Sequence, residues 1–225
     1  MEPESAKLYQ AGHKQTAVKL LAQKLQTDMT HADWFLQLAS YLTAGGAEDQ
    51  AEEILLRART LFPQEQTILY NLAVIYDTTG QTQRAQTFLN QITDPRLQAD
   101  VLYLRAQAQK KQNHPAQALA YALTAVEQKP YLADNQLLVG DLLVQLHEFD
   151  QAQNYYQKAV QLQPTAASYF KLALTKMVQG TAGFQQDFAT SQKLDPKYFQ
   201  KHEQQVGEIE RYLQTQMEGD SQNDS

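Results

Sequence analysis

The sequence predicts an all-α solenoid: about six helix–turn–helix units, the first and last degenerate, closed by a C-terminal capping helix. Three observations predict it. Ala17, Ala51, Ala85, Ala118 and Ala152 stand 34, 34, 33 and 34 residues apart, each early in a helical run. A second series, Leu38–Ala39, Leu72–Ala73, Arg105–Ala106, Val139–Gly140 and Leu172–Ala173, recurs in the same register. Turn residues divide the two series: Gly12, Gly45–Gly46, Gly80, Asn113, and Gly180 with Gly183. Recurrence at such an interval marks supersecondary units that stack on one another.

The first unit, residues 1–31, has a short polar lead helix before Gly12, and Lys24 fills its second small-residue slot. The second, 32–65, reads WFLQLASYL and then AEEILLRARTLFP, closing at Pro63. The third, 66–98, carries LYNLAVIYDTTG and AQTFLNQI. In the fourth, 99–132, Arg105 stands where other units have Leu, and Pro130 closes the unit. The fifth, 133–165, contains GDLLVQLHEFDQAQNYYQKAVQLQP. The sixth, 166–196, puts Phe184 and Ser191 in the alanine slots and ends at Pro196. A closing proline removes a donor and disfavours helix in the residue before it, which separates the units.

The array thus covers residues 1–198. From Lys197 to Gln216 one apolar stripe, Phe199, Val206, Ile209 and Leu213, is flanked by Tyr198 and Tyr212. That stripe fits a helix covering the open end of the last unit. Residues 217–225 are expected to form a disordered tail.

No helix here can bury its apolar face alone, so each pair must pack against its own partner and against the next pair. The small residues then mark close approaches, where extra bulk typically costs about 1–3 kcal/mol. Gly140 is expected at one such approach.

Units of this length, with a Leu–small pair, an alanine four residues before a larger side chain and a terminal proline, resemble tetratricopeptide (TPR) repeats. The resemblance covers nearly all of residues 2–198 and implies a right-handed superhelix whose lead helices line a concave groove. It also implies a protein or peptide partner lying in that groove. Two residues before each Leu–small pair stand Leu36, Tyr70, Tyr103, Leu137 and Phe170. Together with Asn71 and Lys171 as polar contacts, they are the expected groove residues. Aromatic side chains are favoured binding anchors. The set of Lys, Asn and Arg by which one variety of the family grips a C-terminal carboxylate is incomplete here, with only Asn71 in place.

Composition narrows the function classes. The net charge is −6, and the cationic residues form no block beyond Lys110–Lys111, which speaks against nucleic acid. The absence of cysteine removes thiol catalysis and thiolate metal sites. His114 and His147 fall in turns, the latter near Glu148 and Asp150, without the spacing of a metal motif. No glycine-rich phosphate loop is present. Catalytic residues, a cofactor and a metal site are therefore not expected.

Asp77 and Asp141 are expected either to tilt the groove toward basic partner segments or to form solvated surface. The start MEPESAKLYQ is unlike a signal peptide, and no window is long and apolar enough for a membrane span, so a cytoplasmic protein is expected. The function expected is a non-catalytic protein–protein interaction scaffold. Competing readings are a self-associating structural protein, giving a weak homo-oligomer, and a regulatory subunit of an enzyme complex.

Overall fold

The structure, a computed structural model, describes residues 1–223, with side chains defined except at 212–214 and 216–223. Thirteen α-helices follow one another, and no strand occurs among the described residues. They are α1 (Pro3–Gln10), α2 (Lys14–Thr27), α3 (Ala32–Ala44), α4 (Glu48–Leu61), α5 (Gln66–Thr78), α6 (Thr82–Leu89), α7 (Gln98–Lys111), α8 (Pro115–Gln128), α9 (Ala133–Gln145), α10 (Phe149–Leu162), α11 (Ala166–Val178), α12 (Phe184–Leu194) and α13 (Pro196–Asn223). A single 3-10 turn, Pro95–Leu97, precedes α7. The helices group into two compact units, Met1–Ala108 and Gln109–Ser225.

Local sequence explains where the helices start and stop. Glu2 and Glu65 accept backbone N–H groups at the starts of α1 and α5, and Thr165 with Ser168 forms a reciprocal capping box on α11. Each turn between paired helices has a positive-φ residue at the same place, Gly12, Gly46, Gly80, Asn113, His147 and Gly180, and the last turn adds Gly183. The first six recur at intervals of 33 or 34 residues. Glycine enters this left-handed conformation without steric cost, whereas Asn113 (φ 61°) and His147 (φ 62°) hold it with a side chain attached.

In the first unit, α1 through α6 pack each on the next, and α3 also meets α5. The core between them is built from Leu21, Ala51, Leu55, Leu72, Ala73 and Tyr76, none of them accessible to solvent. Lys24, the departure from the small-residue pattern, has a partner. Its Nζ lies 2.7 Å from Oε1 of the buried Glu2, and Ser5 N–H donates to the same carboxylate at 2.6 Å. Burial works to raise the Glu2 carboxyl, but Lys24 and the N–H groups of Ser5 and Glu4 outweigh it and hold it at about 2. Arg105 likewise uses its head group, donating to Asn90 Oδ1 at 3.0 Å.

In the second unit, α8 through α13 pack in sequence, and α13 also crosses α11. Ala118, Ala152 and Ala159 are fully buried. At Gly140 the expected close approach is found: a Cβ there would stand 2.5 Å from Tyr156 Cε1 of α10. Ser191, in an alanine slot, is buried and donates to Ala166 O at 2.7 Å. The stop expected at Gln216 is not observed. The helix α13 runs on to Asn223, through a segment with no proline to interrupt it. Asp224 and Ser225 of the expected tail, and the side chains of Tyr212 and Leu213, lie outside the described residues.

Candidate protein-binding groove

In the first unit the lead helices α3, α5 and α7 carry Leu36, Tyr70 and Tyr103, all half-buried against that unit's core. Burial raises the Tyr70 hydroxyl well above its usual range, with Asp100 and then Tyr103 adding to the effect, so these three groups are near neighbours. Gln107 Nε2 donates to Tyr103 Oη at 2.8 Å. Asn71 is half-buried, and its Nδ2 donates to Thr67 O one turn earlier in its own helix, at 2.8 Å. One register position along the same face, Gln37 is buried. Its amide donates to Glu2 O, Ser5 Oγ and Tyr41 Oη, and its carbonyl accepts from Glu2 N–H at 2.6 Å. The chain's own first turn therefore fills that position.

The second unit contains a cleft of about 970 Å³. Lys110 of α7, Asp141 of α9, Tyr156 of α10, Lys171 and Leu174 of α11 and Tyr198 of α13 contribute to its walls. Asp141 is its polar centre. It accepts from Lys110 Nζ at 2.7 Å, from Lys171 Nζ at 2.5 Å and from Tyr156 Oη at 2.9 Å. Burial pushes the Asp141 carboxyl upward, but Lys171 and Lys110 prevail and hold it below the usual carboxylate range. Burial, and then the Asp141 charge, drive the Tyr156 hydroxyl far above its ordinary value.

The sequence had suggested that Asp77 and Asp141 favour basic partner segments. Two lysines neutralise Asp141, and Asp77 is buried, so that reading is corrected. Lys110 and Tyr156 went unrecognised as groove residues. Their signal was present: Lys110, Asp141 and Lys171 are spaced by 31 and 30 residues, about one helical turn short of the repeat. Three lead helices in register bring such a diagonal row together.

Leu137 is half-buried on α9, and Lys171 points into the cleft as expected. Phe170 does not offer an exposed face for binding. It is 1% accessible, with Tyr198, Phe199 and His202 of α13 at ring separations of 6.0, 5.7 and 5.7 Å and Phe188 at 5.4 Å. Helix α13 lies over it, so the ring belongs to the core. No helix among the described residues is long and apolar enough to cross a membrane.

Comparison with curated proteins gives no match. Solved structures show the same fold. A chain from a structure described as the APC/C hetero-tetramer Cut9–Hcn1 superposes with a TM-score of 0.75 at 15% identity over 85% of this chain. This chain spans 39% of that one. PilW, described as a type IV pilus biogenesis factor, gives 0.70 at 13% identity, covering 87% of this chain and 92% of its own. YrrB, described as a TPR protein with an unusual peptide-binding site, gives 0.52 at 15% identity, covering 82% and 97%. The tetratricopeptide repeat family model matches residues 66–94 and 133–165, which are the helix pairs α5–α6 and α9–α10. Residues 66–94 and 133–165 are thus tetratricopeptide repeats, and the same small-residue register runs through the neighbouring helix pairs of a TPR-like fold.

Proposed function

We propose that this protein is a non-catalytic scaffold that binds a peptide or partner segment on its lead-helix face. Leu36, Tyr70, Asn71, Tyr103, Leu137 and Lys171 are the proposed contacts. The observation that carries the reading is the cleft of the second unit, in which apolar walls converge on the Asp141 centre. Concave, largely apolar sites with a few fixed polar groups are the usual form of a binding site. A cytoplasmic location is part of the proposal, with cell fractionation as its check. That YrrB is described as having a peptide-binding site lends support by analogy of fold only.

The test removes the two half-buried rings of the first unit. Tyr70→Ala with Tyr103→Ala should retain the helical circular dichroism signal and lose capture of the partners retained by the unaltered protein. Each true anchor contributes about 2 kcal/mol or more to binding. Undiminished capture by the folded double variant would place the working surface elsewhere.

A further inference from the structure

The helix α13 is joined to its unit differently from the other helices. Lys110, Asp141 and Lys171 tie α7, α9 and α11 together, while Lys176–Asp187 at 2.7 Å and Ser191 Oγ to Ala166 O at 2.7 Å tie α11 to α12. The hydrogen bonds described for α13 between Pro196 and Arg211 run within the helix itself or to its Asp195 cap. Rings and aliphatic groups seat it on the unit: Tyr198, Phe199, Val206 and Ile209 against Phe170, Phe188 and their neighbours. Such contacts are non-directional and leave no polar group unpaired inside the unit when they part.

Gly207 stands within this contact segment, inside the helix. A Cβ built on it meets nothing within 4 Å, so packing does not require a glycine there. Glycine in a helix interior is less favourable than alanine by a factor of about five. A helix separated from its seat is marginal in water, so detachment is coupled to unwinding and the glycine promotes it.

We propose that α13 is a releasable lid: by local detachment it uncovers Phe170 and the adjoining wall of the cleft, and it competes there with a partner segment of its own chemistry. The fitting partner is an amphipathic helix with ring and aliphatic side chains on one face, because that is what α13 presents to the seat. The competition rests on the binding function proposed above, whereas the detachment does not.

Hydrogen exchange on the full chain, read by mass spectrometry, tests the lid without any partner. Amides of residues 199–211 should exchange at least tenfold faster than those of α11, and Gly207→Ala should slow them about fivefold while leaving α11 unchanged. A common rate for α13 and α11, or α13 rates indifferent to Gly207→Ala, overturns the proposal. A labelled peptide of residues 196–211, titrated against the full chain, tests the seat. It should bind saturably, and about fivefold more weakly to Gly207→Ala. No binding, or equal binding to both chains, overturns the exchange of occupants. Loss of partner capture in the Tyr70→Ala, Tyr103→Ala chain leaves both readouts unmoved, so the two ideas fail separately.

Discussion

The first unit begins, and the second unit ends, with a helix that covers groove-facing positions, and the two are fastened by opposite means. At the start, Glu2 and Ser5 of the first turn meet Gln37, Lys24 and Tyr41 through a buried polar network. At the end, α13 rests on Phe170 and its neighbours through rings and aliphatic side chains. A buried polar network is costly to open, since each parted group must find another partner. An apolar seat opens without that penalty and depends on area. The same architectural problem, covering the exposed side of a terminal repeat, is thus met once by a fixed closure and once by a movable one.

The largest change expected comes from the interior that both closures serve to protect. Gly140→Leu drives a side chain into the Tyr156 ring, where even a Cβ would stand 2.5 Å away, and should lower stability by about 3 kcal/mol or more. Thermal unfolding followed by circular dichroism measures this. An unchanged midpoint would contradict the packing of α9 on α10.

Breaking the fixed closure comes next. Gln37→Leu removes the partner of Glu2 N–H, Glu2 O and Ser5 Oγ, and should cost about 1–3 kcal/mol. Acid probes the same closure. The Glu2 carboxyl falls from 4.5 when unfolded to about 2 when folded, so its contribution is complete above pH 4.5 and disappears as pH falls toward 2. Glu2→Gln should flatten that part of the stability profile, and a variant profile parallel to the original would discount the pair.

The smallest effects sharpen the comparison at the turns. Gly80→Ala should destabilise by about 1 kcal/mol, because Gly80 has φ 77°. His147→Gly should do the reverse, by up to about 1 kcal/mol, since His147 holds φ 62° with a side chain in place. Equilibrium unfolding of the two variants compares them directly.

The repeat itself was plain in the sequence, because burial selects for size and the small residues keep strict register. Ala17, Ala51, Ala118 and Ala152 are all fully buried. What escaped notice depends on pairs far apart in the chain. Lys24 looked like an error in the pattern until Glu2, 22 residues away, was beside it. Phe170 shared a register with Tyr70 and Tyr103, yet its exposure is decided by a helix outside the repeat. The left-handed His147 gave no signal beyond its turn position, since glycine usually fills that role and the side chain alone does not reveal φ.

Gly140 has a consequence for how far the repeats of this protein can be exchanged. Tyr156 sits on an outer-row helix, yet its hydroxyl reaches Asp141 in the cleft because the ring passes against a residue without a side chain. Ala39, Ala73, Ala106 and Ala173 fill the equivalent places with a methyl group. Grafting any of those lead helices into the fifth position would preserve the stack's register and still shut this opening. The fifth repeat is therefore not a spare part: its glycine opens the passage through which the back row of helices writes on the front.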